Sequence, residues 1–146
     1  MAITYRKAQK ADEATIRSLL ERAGLHTESI GKDTTEFFVA EEARAIIGVA
    51  GFEFYGSDAL LRSVAISSNL QNKGIGSAFI DWMLSTAKAR GTAKIVLLTR
   101  TAERFFGRKG FVTVDRSQIA NEAMMKCSEF AYLCPTSCAT MILNLR

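Results

Sequence analysis

Residues Gln71, Asn72, Lys73, Gly74, Ile75 and Gly76 carry types and spacing that suit an anion. The two glycines and the asparagine let the backbone turn tightly and expose successive N–H groups at the start of a helix. Oriented donors and the positive end of the helix dipole then converge on one point. Gln71 adds a side-chain donor and Lys73 a positive charge at the same place. The ligand chemistry that fits is a phosphorylated cofactor. Two commoner phosphate loops are excluded: there is no Gly-Lys-Ser/Thr ending of a P-loop, and the three-glycine dinucleotide fingerprint is incomplete. A bare Gly-x-Gly is also an ordinary strand-to-helix turn, so the flanks decide.

Both flanks are in place. Leu60 to Ile66 is short, apolar and β-branched, and reads as a buried strand. From Ile75 the apolar residues Phe79, Trp82, Met83 and Ala87 fall at helical spacing, and Gly91 supplies the stop. Before this unit, Ile3–Arg6 predicts a first strand. Asp12 is a plausible N-cap for a helix with Ile16, Leu19, Leu20 and Ala23 on one face, ended by Gly24. Residues 25–35 are polar and irregular, with room for a second short helix. Phe37–Glu41 and Ala45–Phe54 predict a hairpin turning at Glu42-Ala43-Arg44, and Tyr55–Asp58 returns the chain into the Leu60 strand. After the central helix, Lys94–Thr99 predicts a strand parallel to the Leu60 strand through a right-handed crossover. A helix over Thr101–Lys109, a strand at Phe111–Val114, helical composition over Gln118–Lys126 and a last strand at Cys138–Leu145 complete the order. The expected fold is α/β: a single mixed, mainly antiparallel sheet flanked by helices on both faces.

The 146 residues, 48% hydrophobic and 23% charged, amount to one globular domain, expected to span 1–146. No apolar run approaches the ~18–20 residues that cross a bilayer, and the polar N-terminal residues are not expected to act as a signal peptide. The expectations are a cytoplasmic location and no membrane partner. A formal charge of +4 is spread along the chain without interleaved aromatics, so no nucleic acid partner is expected. Cys127, Cys134 and Cys138 are an odd number without a secretory signal, and free thiols are the default. With His26 the only histidine, no Cys/His zinc pattern exists and no metal is expected.

Gln-x-x-Gly-x-Gly after an apolar strand resembles the pyrophosphate arm of the GNAT acetyltransferases, and the order of elements resembles the whole GNAT fold. A second segment agrees: Thr99-Arg-Thr-Ala102-Glu-Arg-Phe-Phe106-Gly-Arg-Lys-Gly110-Phe111 is similar to the family's Asn-x-x-Ala-x-x-x-Tyr-x-x-x-Gly-Phe. Thr99 stands for the asparagine and Phe106 for the tyrosine that often protonates the departing thiolate, so the usual general acid is gone. The segments 60–63, 97–99, 111–116 and 128–137 are similar to the acetyltransferase domain of N-acetylglutamate synthases. They are closer still to the small N-acetyltransferases of arsenic-resistance operons. What the resemblance implies is acetyl-coenzyme A as acyl donor and a small-molecule amine as acceptor, with a homodimer admitted. Under it, Val64, Ala65 and Ile66 pair with the pantetheine arm, and an N–H near Val64 faces the thioester carbonyl. The loop from Gln71 to Gly76 holds the pyrophosphate, and Thr99 and Phe106 line the coenzyme.

For the remaining roles the readings stay open. Glu53, at a strand end near the implied acceptor cleft, is the first choice of general base, against a plain exposed carboxylate. A free α-amine with pKa about 7.7–8.0 is partly neutral at pH 7, whereas lysine near about 10.4 is not. A site without a clear base therefore suits an amino-acid-like acceptor, whose carboxylate calls for an arginine. Period-two alternation puts Arg62 on one face with Leu60, Val64 and Ile66, where it pairs either with substrate or with a carboxylate such as Glu53 or Glu129. Cys134 is either a proton donor to the leaving thiolate or a small buried hydrophobe. Tyr55 and Tyr132 are alternative acids, and with Ser137 they are expected near the acceptor. Three readings follow: acetylation of a small amine, acetylation of a peptide or protein amine, and a catalytically weak sensor that binds coenzyme A or an arsenical.

Overall fold

Phe37, Phe38 and Val39 are consecutive, buried and apolar, so the strand that carries them has two covered faces. The computed structural model describes residues 2–71, 73–133 and 138–146, with Tyr132 in its backbone only. The strands are β1 (Ile3–Lys7), β2 (Glu36–Glu42), β3 (Ala45–Tyr55), β4 (Asp58–Ile66), β5 (Lys94–Thr99), β6 (Val112–Val114) and β7 (Ala139–Asn144). The α-helices are α1 (Glu13–Arg22), α2 (Ile75–Ala89), α3 (Glu103–Arg108) and α4 (Glu122–Met125). One seven-stranded sheet runs in the order β1-β2-β3-β4-β5-β7-β6, with β4 and β5 parallel and the pairs β1–β2, β2–β3, β5–β7 and β6–β7 antiparallel. This is the mixed α/β fold expected.

The chain forms two compact units, residues 1–53 with 62–86, and residues 54–61 with 87–146. In the first, Ile16, Leu19 and Leu20 of α1 pack with Ile30, Phe37, Val39, Val49 and Ala65. Aromatic residues cover the other face: Tyr5 stacks on Phe79 and Trp82 of α2 at 5.5 and 5.4 Å, and Phe38 meets Trp82 edge-on at 5.6 Å. The β2–β3 turn is tighter than expected. Glu42 still pairs with Ala45, so only Ala43 and Arg44 turn, both at positive φ (50° and 67°), the backbone of a type I′ hairpin. Residues 25–35 hold turns and no helix, because no apolar periodicity gives a helix a face to bury.

In the second unit Leu60, Val96, Ile119, Met124 and Phe130 form the core. The helix expected over Gln118–Lys126 is divided. A 3-10 turn at Arg116–Gln118 is capped by the Asp115 side chain, and Asn121 caps α4 by accepting from the Met124 N–H. Each capping residue starts its own turn, and Ile119 and Ala120 join them.

Candidate functional site

The strand β4 ends at Ile66, and the chain reaches α2 through a short, closely tied connection. The Ser67 N–H donates to the Ile47 carbonyl at 2.8 Å, and the Leu70 N–H closes a 3-10 turn on the Ser67 carbonyl at 2.9 Å. Gln71 Nε2 donates to the Ile66 carbonyl at 3.2 Å, so its amide closes the turn instead of pointing outward as the sequence suggests. Gly74 takes φ +78°, and its carbonyl accepts the first helical bond from the Ala78 N–H at 3.1 Å. A side chain there would be strained although no atom lies within 4 Å of the missing Cβ. Ile75 is buried and anchors the helix start, while Gln71, Lys73 and Gly74 are exposed. The first turn of α2 thus follows exposed residues that include one lysine. Asn72 lies outside the described residues.

A second constellation sits on β3 and β4. Arg62 is 2% exposed in its side chain and Glu53 4%. Arg62 Nη1 donates to Glu53 Oε2 at 2.7 Å, and Thr35 Oγ1 donates to the same oxygen at 2.7 Å. Arg62 Nη2 donates to Glu28 Oε1 at 2.5 Å, and Nε to Ser63 Oγ at 3.2 Å. Glu53 is therefore no exposed strand-end carboxylate, and Arg62 holds two carboxylates, Glu53 and Glu28. A buried guanidinium needs such partners, since an unpaired one costs several kcal/mol, on the order of 3–5. Glu28 and Thr35 belong to the segment without periodicity and to no motif. The one hint in the sequence is the need of a buried arginine for carboxylates.

Strict alternation along β4 fails at one residue. Ser63 sits at φ +57°, a left-handed conformation that interrupts the pleat as a bulge does. Ala65 joins the core under α1, while Ile66 turns toward α2, where its Cδ1 lies 2.7 Å from a Cβ built on Gly48. Arg62 bonds Glu28 in the segment that also contributes Ile30 to the α1 core, so Arg62 and Ala65 share a face. The expectation that Val64 and Ile66 line up with Arg62 is corrected by this one-residue shift. The ladder of β4 to β5 covers Asp58–Leu60 and Lys94–Val96, so Val64 and Ile66 lie past its end.

The other expected residues belong to the second unit. Thr99 Oγ1 accepts from the Ala102 N–H at 3.0 Å and shapes the entry to α3. Phe106 is buried, edge-on to Phe105 and Phe111 at 5.0 and 5.5 Å. The Tyr55 carbonyl accepts from Asn121 Nδ2 at 2.9 Å, and its ring packs on the core of that unit. Cys134, Ser137 and the Tyr132 side chain lie outside the described residues. Cys127 keeps a thiol, whereas Cys138 is disulfide-bonded, which corrects the expectation of free thiols, since pairing depends on tertiary placement that sequence spacing does not give. Among the described residues no group of three or more His, Cys, Asp or Glu is placed to hold a metal.

Several known proteins resemble this chain. An uncharacterized N-acetyltransferase of Chlorobaculum tepidum is 27% identical over 84% of this chain and 84% of its own length. An amino-acid acetyltransferase of Mycobacterium tuberculosis is 27% identical over 80% and 72%. In structure, N-acetylglutamate synthase from Neisseria gonorrhoeae, complexed with coenzyme A and N-acetyl-glutamate, superposes with a TM-score of 0.81 at 19% identity. That match covers 100% of this chain but only 36% of the synthase. Rv2747 from Mycobacterium tuberculosis in complex with CoA gives 0.77 at 23% identity over 98% and 99% of the two chains. Residues 33–113, more than half the chain, match the acetyltransferase (GNAT) domain model, and the chain belongs to that family.

Proposed function

We propose that residues 1–146 act as one acetyltransferase domain that moves an acetyl group from acetyl-coenzyme A to the amine of a small acceptor bearing a carboxylate. The acceptor class is an amino acid or an amino-acid-like compound, arsenical analogues included. One observation carries the choice of acceptor: a guanidinium 2% exposed on β4, next to the strand segment assigned to the thioester. The carboxylate of an amino acid suits its Nη2 side, while Glu53 and Thr35 fix the opposite side. The amino-acid acetyltransferase among the relatives, and the synthase solved with coenzyme A and N-acetyl-glutamate, support the same reading.

In this mechanism the diphosphate of the donor rests on the α2 first-turn amides with Lys73, and the pantetheine runs along Val64–Ile66. The neutral amine attacks the thioester carbonyl, and the Val64 N–H stabilises the tetrahedral oxyanion. Collapse breaks the C–S bond, expels the coenzyme thiolate and leaves an N-acetyl product, with the amine's proton passing to solvent or to a side-chain base. Glu53, assigned as that base, has Oε2 committed to Arg62 and Thr35, so its proposed first role is to position Arg62. Tyr55 and Tyr132 are the proposed proton donors to the thiolate, with Ser137 at the acceptor; Cys134 can take that role only as a reduced thiol. Thr99 at the end of β5 and Phe106 of α3 are the proposed further contacts of the coenzyme.

The test is thiol release from acetyl-coenzyme A across a panel of free amino acids and matched peptides. Turnover on amino acids, lost when the carboxylate is amidated, is expected. Acetylation of peptides alone moves the acceptor to the protein class, and coenzyme binding without turnover on any amine marks a sensor.

A further inference from the structure

We infer that Glu28 is a displaceable stand-in for the acceptor's carboxylate, occupying Arg62 Nη2 until a carboxylate ligand takes its place. The inference rests on the acceptor carrying a carboxylate. A guanidinium this deeply buried is stabilised by carboxylate partners, and one that a ligand's carboxylate can replace suits an acceptor site. Glu28 Oε1 is such a partner, 2.5 Å from Nη2.

Several features make Glu28 the exchangeable partner and Glu53 the fixed one. Glu53 is 4% exposed, stands on β3 and takes a second bond from Thr35, whereas Glu28 is 30% exposed. Glu28 belongs to residues 23–35, where no helix or strand holds the backbone. Gly24 and Gly31 bracket it at φ +72° and +81°, conformations that leave a short segment two pivots. Beside it, Ser29 is 1% exposed and its hydroxyl has no hydrogen-bond partner, a cost that the segment carries in its present position. Charge points the same way. One guanidinium faces two carboxylates, so a third carboxylate enters only if one of the first two leaves.

The experiment compares the wild-type protein with Glu28→Gln and Glu28→Ala on an amino-acid acceptor and its amide. Folding is checked by thermal melting and coenzyme affinity by calorimetry. Removing the competing carboxylate is expected to lower the KM of the carboxylate-bearing acceptor about fivefold, with coenzyme affinity unmoved and the amide unaffected. Glu28→Asp, which keeps the charge, should stay nearest to wild type. If the wild type acetylates amino acids yet KM is unchanged or rises in the variants, Glu28 is no stand-in and the acceptor assignment survives. If the wild type turns over no carboxylate-bearing amine, both fall.

Discussion

Arg62 donates through Nη1 to Glu53 Oε2 at 2.7 Å, across adjacent strands β3 and β4 and nearly out of reach of solvent. Glu53 stands at the same time under the Thr35 hydroxyl. The pair therefore ties β3 to β4 and, under the proposed function, also orients the guanidinium for the acceptor; the two roles separate on substitution. Glu53→Gln leaves the shape but removes the charge. If Glu53 orients Arg62, acceptor KM rises about tenfold and the pH profile of kcat keeps its acid limb. A general base would instead lower kcat by about a hundredfold or more and remove that limb. Steady-state kinetics from pH 5.5 to 9 decide.

Arg62→Lys tests the acceptor side. Lysine keeps the charge and loses the fork that serves Glu53 and Glu28 together. Acceptor KM should rise about tenfold or more while the coenzyme Kd stays within twofold. Equal losses in both would place Arg62 in the general support of β4.

Gly76→Ala separates anion binding from an ordinary helix start. The new Cβ would lie 3.5 Å from Ile66 Cγ1, ordinary contact distance, and Ala raises helix propensity by about 1 kcal/mol. Stability should hold or rise slightly. If the diphosphate rests on the α2 amides as proposed, coenzyme affinity should fall about tenfold or more, because a methyl group there crowds the bare amides. Unchanged affinity in calorimetry assigns the glycine to the turn alone.

Asp12 gives a stability test away from the site. Arg6 Nη1 and Nη2 bond Asp12 Oδ2 and Oδ1 at 2.8 and 3.1 Å, and this pairing holds the Asp12 carboxyl below its usual range. A carboxyl lowered on folding adds stability above its unfolded pKa of about 3.9, and that share is lost as pH falls through the folded value. Asp12→Asn should cost about 1 kcal/mol at pH 7, with the deficit shrinking as pH falls from about 3.9 through the folded value. Urea midpoints at pH 7, 5 and 3 measure it, and a deficit independent of pH would assign the loss to the bond from the Gln9 N–H to Asp12 Oδ2.

Local pattern in the sequence determined the elements and the glycine turn that leads into α2. Helical spacing at Phe79, Trp82, Met83 and Ala87 and the glycines at 74, 76 and 91 act within a few residues, where side-chain periodicity and backbone freedom are readable. It also marked Arg62 as a charge needing partners. Tertiary structure decided which partners it has, because Glu28 and Thr35 lie in an aperiodic segment brought to β4 only by folding. It also decided the facing of Val64, Ala65 and Ile66. A single left-handed residue, Ser63, shifts the alternation by one, and no residue type announces that, since serine reaches positive φ only where its neighbours hold it there.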